Sequence, residues 1–125
     1  MNFVKGFEDL DTYILSREIS FEIYLISKSF PAEERYSLTD QVRRSSRSVG
    51  AQVAECWAKR RYEKHFISKL TDTDAENNET LHWLSIALEC EYIPAEWHNN
   101  LRDKCTKLGL KINSMIQKSV HFCRL

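Results

Sequence analysis

YSLTDQVRRSSRSVGAQVAEC, Tyr36 to Cys56, is the stretch on which the fold turns. Leu38, Val42, Val49, Val53 and Cys56 recur at intervals of three, four and seven residues, which puts them on one face of a helix. Ser37 or Thr39 supplies a starting cap, since a side-chain oxygen there can accept from the first free backbone N–H groups. The same segment carries Arg43, Arg44 and Arg47 next to the small residues Ser45, Ser46, Ser48, Gly50, Ala51 and Ala54. Small residues let a second helix approach closely, so this segment reads as the centre of a helical domain. Its expected span is 38–60. No proline marks the end, but an unbroken helix from Thr39 to Tyr92 would far exceed ordinary lengths, so a break is expected around Arg60 to Tyr62.

Upstream, a helix is expected over 10–29, stopped at Phe30-Pro31 because the residue before proline is pushed out of helical geometry. It is apolar on two sides. Leu10, Ile14, Phe21, Tyr24 and Leu25 form one stripe, and Leu15, Ile19, Ile23 and Ile26 the other. Downstream, 63–92 carries Phe66, Leu70, Leu81, Leu84 and Leu88, with Thr73 and Asn77 as polar members, and closes at Ile93-Pro94. A last helix over 94–122 starts on Pro94, whose missing N–H costs nothing in a first turn. It repeats Leu101, Leu108, Met115 and Phe122 every seven residues, with Cys105, Ile112 and Ser119 between them. Such spacing suits shallow crossing angles. Only three glycines and two prolines punctuate 125 residues, which favours long helices over strands. The expectation is one all-α domain, an up-down-up-down four-helix bundle.

A helix that is apolar on two sides must bury both. Ile19, Ile23 and Ile26, and on the third helix Trp83, Ile86 and Cys90, are therefore the expected contacts between identical subunits. The alternative is a broader core within one chain.

The charges cancel: eighteen Lys and Arg against eighteen Asp and Glu. A nucleic-acid coat usually carries a clear basic excess, so a nucleic-acid role needs a local patch. Lys59, Arg60, Arg61, Tyr62, Lys64 and His65 supply one at the expected turn, with Tyr62 available to stack on an unpaired base. The alternative is a solvated turn. Arg43, Arg44 and Arg47 face the acidic stretch of the next helix, and pairing with Glu55 or Glu79 would fix the register of helices or subunits. The plainer reading is solvated charge.

Catalytic and metal chemistry find little support. Glu79 and His82 form an E-x-x-H unit, but a di-metal bundle site needs a second one, and none occurs. Ser45, Ser46 and Ser48 have no neighbouring base, and no glycine-rich loop is present to cradle phosphate. No metal, cofactor or small-molecule substrate is expected. No apolar run nears the roughly eighteen residues of a membrane span. MNFVKGFEDLD, at the start, turns acidic where a signal peptide is apolar, and four unpaired-looking cysteines suit a reducing compartment. The expected location is the cytoplasm.

YSLTDQVRRSSRSV (Tyr36–Val49) followed by QVAE (Gln52–Glu55) resembles the signature of the bacterial 23S ribosomal-RNA intervening-sequence proteins. The likeness continues through Phe66, Leu70, Glu79, Trp83-Leu84 and Tyr92-Ile93. It implies a four-helix bundle assembled as a ring-like homopentamer, and it brings no established enzymatic activity to carry over. That family is similar to the accessory protein of diversity-generating retroelements, which implies nucleic acid, RNA or single-stranded, as a partner. The chain departs from the family pattern where Asn-Ile-Ala-Glu-Gly reads Gln52-Val-Ala-Glu55-Cys56, and where Gly-Ser reads Ala75-Glu76. The combined expectation is a non-enzymatic oligomeric protein that binds nucleic acid through a repeated basic surface. The alternative is a scaffold that presents a ring face or groove to another polypeptide.

Overall fold

The computed structural model describes residues 4–124; the first three residues of the acidic N-terminal stretch lie outside it. Four long helices follow one another: α1 Asp11–Ser27, α2 Leu38–Ala58, α3 Glu63–Glu89 and α4 Ala95–Gln117. A short α5, Ser119–Cys123, ends the chain, and 3-10 turns occupy Phe7–Asp9 and Ala32–Glu34. No strand occurs among the described residues. Each long helix packs on the next and α1 closes against α4, so the architecture is an all-α helical bundle.

The core is built from the apolar periodicity of α2, α3 and α4. Val42, Val49, Val53 and Cys56 meet Phe66, Leu70 and Leu84, while Leu101, Cys105, Leu108, Ile112 and Met115 close the other side. The polar members of α3 are buried too, and each finds a partner. Thr73 Oγ1 donates to the Lys69 carbonyl at 2.7 Å, and Asn77 Nδ2 donates to the Cys105 carbonyl of α4 at 2.9 Å. Thr80 Oγ1 reaches Ser45 Oγ of α2 at 2.9 Å. Buried polar groups are costly only when unpaired, so this layer fixes helix register without leaving groups unsatisfied.

The first helix reverses an expectation. Its buried stripe is Thr12, Ser16, Ile19, Ile23 and Ser27. Ile19 and Ile23 are 2% and 0% exposed within this one chain, so neither has surface left for a neighbouring subunit. The stripe expected from the sequence, Leu15, Ile19, Ile23 and Ile26, leaves out the three polar members of the buried one. Those three are satisfied: Thr12 Oγ1 donates to Met115 Sδ across on α4, while Ser16 and Ser27 donate to the carbonyls of Tyr13 and Tyr24 one turn back. Ile14, Phe21 and Leu25, expected inside, are 54%, 57% and 48% exposed. Ile26, Trp83 and Ile86 are half-buried and pack against the chain's own core, and Cys90 is exposed.

The last two helices end differently from the sequence reading. α3 stops at Glu89, where Glu91 takes φ 62 and the N–H groups of Glu91 and Tyr92 bond the carbonyls of Leu88 and Ala87. This is a Schellman turn whose left-handed position, usually Gly, holds Glu, so no glycine announced it. The expected helix over 94–122 breaks at Lys118. The bend lets Ser119 bond Glu63 and brings Phe122 onto Phe66, with ring centroids 5.7 Å apart.

Candidate nucleic-acid interface

The α2–α3 turn is pinned from inside. Cys56, the last core residue of α2, and Phe66, the first of α3, are both fully buried, and the Cys56 thiol donates to the Phe66 carbonyl at 3.8 Å. Between them α2 is closed by the Lys59 N–H bonded to the Cys56 carbonyl, and the Tyr62 N–H bonds the Lys59 carbonyl at 3.2 Å. Tyr62 is extended and starts α3. Two deep anchors thus hold a tight turn whose side chains point outward.

Trp57, Lys59, Arg60, Arg61, Tyr62 and His65 line one surface cleft of about 540 Å³ at this end. Arg60 Nε donates to the Trp57 carbonyl at 2.8 Å, and its guanidinium sits 3.6 Å from the centre of the Trp57 ring. That stacking orients the cation while leaving its terminal nitrogens for another partner. Tyr62 is 59% exposed, and its ring lies 5.3 Å from that of His65. Of the basic residues expected here, Lys64 is exposed but does not line the cleft. Trp57 was missed. It lies three residues before Arg60, so the two share a helix face, which is the signal that could have found it.

The expected pairing of Arg43 or Arg44 with Glu55 or Glu79 does not form within the chain. Glu55 pairs instead with Lys69 at 2.7 Å, one turn into α3 from the anchors, and that hydrogen bond draws its carboxyl below the usual range. No ion pair among the described residues involves Glu79. Arg43 turns the other way, toward α1: its Nε donates to Ser27 Oγ at 2.7 Å, and its guanidinium lies 5.1 Å from the Tyr24 ring. Arg47 lies 5.6 Å from the same ring and Lys28 4.7 Å from it. Arg44 is exposed and close enough to Glu76 to draw its carboxyl down, against the larger upward effects of burial and of Glu79. Two of the three arginines of α2, Arg43 and Arg47, are therefore gathered by an aromatic ring rather than neutralised by carboxylates, because Tyr24 stands opposite them on α1.

A groove of about 810 Å³ runs between α1 and α2 beyond Arg47. Phe7, Tyr13, Phe21 and Tyr24 form one wall, and Gly50, Ala51 and Ala54 the other. A Cβ at Gly50 would stand 3.0 Å from Ser16 Oγ, so the closeness of the two helices depends on that glycine. Burial pushes the Cys56 and Cys105 thiols up to about 12, and all four cysteines are free. Among the described residues no group of three or more His, Cys, Asp or Glu is placed to hold a metal ion. No helix among them is long and apolar enough to cross a membrane.

A solved structure of a protein of unknown function from the S23 ribosomal protein family of Bacteroides thetaiotaomicron VPI-5482 has the same fold. It superposes with a TM-score of 0.77 at 27% sequence identity, covering 85% of this chain and 95% of that one. No curated protein matches the chain. The 23S rRNA-intervening sequence protein family matches residues 8–114, through all four long helices but for the last turn of α4. The chain belongs to the 23S rRNA-intervening sequence protein family.

Proposed function

We propose that this is a non-enzymatic, cytoplasmic protein that assembles with copies of itself and binds nucleic acid through a repeated basic surface. The observation that carries this reading is the cleft at the α2–α3 turn. It combines cations that attract phosphate with Trp57, Tyr62 and His65, rings on which unpaired bases stack. Charge distribution supports it. From position 35 to 65 the chain holds Arg35, Arg43, Arg44, Arg47, Lys59, Arg60, Arg61 and Lys64, against Asp40, Glu55 and Glu63. A chain of zero net charge is thus locally basic along α2, and a ring would multiply that surface. Self-assembly is supported by Ile14, Phe21 and Leu25, exposed along one side of α1, where Phe21 also enters the α1–α2 groove. The family resemblance implies five copies. Free and partly buried thiols fit a reducing compartment.

A labelled single-stranded RNA titrated with the protein tests the reading. Binding is expected at low salt, and Arg61→Ala combined with Tyr62→Ala should weaken it by roughly tenfold or more. Equal affinity in that variant would remove the cleft from the account. A second reading, a scaffold for another polypeptide, is favoured by the aromatic wall and small-residue floor of the α1–α2 groove. Copurification separates the two: RNA fragments with the first, one specific polypeptide with the second.

A further inference from the structure

At the opposite end of α2 from the turn cleft, Arg35, Arg43, Arg44 and Arg47 converge on one surface cavity of about 470 Å³. Its remaining lining residues are Thr39 and Asp40, from the first turn of α2. Arg47, the cavity residue nearest the turn, lies ten residues before Trp57, about 15 Å along a helix, so this cavity and the turn cleft are separate places. We propose that the cavity is a phosphate-binding site, taking a phosphate group either as the free anion or as part of a phosphodiester strand.

Three independent observations point there. First, the cations outnumber the carboxylates around them, with Glu76 acting on Arg44 only from beyond ion-pair distance. None of the four arginines takes part in an ion pair among the described residues, and Asp40 is the single acidic group in the wall. Glu34, close in sequence, is occupied elsewhere, accepting from the Tyr92 hydroxyl at 2.9 Å and the Leu38 N–H at 3.4 Å. Second, two of the cations are held in place before any ligand arrives. Tyr24 lies against Arg43 and Arg47, and Ser27 takes the Nε–H of Arg43, which leaves that residue's two terminal nitrogens as a fork. A fixed guanidinium fork matches two oxygens of a phosphate, and prior ordering lowers the entropy lost on binding. Third, Thr39 is 8% exposed, and its Oγ1 is buried without any hydrogen-bond partner. Thr39 lines the cavity, so a rotation of its side chain would bring this unpartnered hydroxyl to a phosphate oxygen, an acceptor that the free chain does not supply. The first turn of α2 adds the partial positive charge of a helix start.

The test uses the full chain. Inorganic phosphate is titrated calorimetrically with ionic strength held constant by potassium chloride, and a short single-stranded RNA lacking terminal phosphates is titrated in parallel. Saturable binding of at least one is expected. Arg43→Gln and Arg47→Gln should each weaken it by roughly tenfold or more, and Thr39→Val, which keeps the side-chain shape, by several-fold. Arg102→Gln, on α4, should leave it unchanged. Phosphate binding with this dependence identifies a free-anion site; dependence seen only with RNA identifies a phosphodiester site. Circular dichroism melting confirms that each variant folds. Because Arg43 also bonds Ser27, Arg47→Gln and Thr39→Val carry the test if Arg43→Gln unfolds. If neither ligand's affinity depends on Arg47 and Thr39, the site does not exist.

Discussion

The α3–α4 seam and the α1–α2 face are built on opposite principles. Along the seam, Leu84, Leu101, Leu108 and Ile112 are buried to within 2% exposure, and the one amide among them, Asn77, is tied to the Cys105 carbonyl. On the α1–α2 face, Phe21 and Ile14 are more than half exposed, the helices approach over a glycine, and arginines that take part in no ion pair among the described residues border an open groove. The seam is finished within one chain. The face carries apolar area and charge that contribute little to the fold of a single copy, which is why self-assembly and the phosphate site are proposed there, beside the base-stacking cleft of the α2–α3 turn.

Substitutions can break this contrast. Leu84→Ala, at the fully buried centre, should cost about 2–5 kcal/mol in denaturant unfolding. Asn77→Ala removes a buried bond across the seam and should cost about 1–3 kcal/mol. Glu76→Gln should act in the other direction. Burial, then Glu79, raises the Glu76 carboxyl above its ordinary value, so the folded state holds that proton more tightly than the unfolded chain. The ionised group therefore opposes folding. The penalty is absent below the ordinary carboxylate range and complete above the raised pKa. Glu76→Gln should raise Tm at pH 7, and the gain should vanish as the pH falls through the carboxylate range. Phe21→Ser should be the smallest, changing the stability of the isolated chain by less than about 0.5 kcal/mol. Light scattering after size exclusion should nevertheless show the assembly reduced to smaller species. A Phe21→Ser chain as destabilised as Leu84→Ala would erase the distinction between the two regions.

The sequence was informative where periodicity and chemistry agreed. On α2, Val42, Val49, Val53 and Cys56 are apolar and buried, as their spacing implied, and the break before Tyr62 falls where length demanded it. On α1 the two signals disagreed. Thr12, Ser16 and Ser27 pack inward because their hydroxyls bond sulfur or carbonyls within reach, a compensation that hydrophobic patterning does not register. The arginines of α2 were read against acidic residues of α3, whereas the ring that gathers two of them, Tyr24, comes from α1. Such a partner depends on how two helices are rotated, and rotation follows from the same buried serines.

The salt dependence of RNA binding tests nucleic-acid recognition by an assembled basic surface most directly. Anisotropy of a labelled single-stranded RNA is followed across increasing potassium chloride for the wild-type chain and for Phe21→Ser. The account predicts tight binding at low salt whose logarithm falls steeply and linearly with that of the salt concentration, because several copies engage phosphates together. Phe21→Ser, with its cleft intact but its assembly broken, should bind more weakly and with a shallower slope. Absence of binding by the wild-type protein at low salt would contradict the account, as would identical slopes for the two proteins.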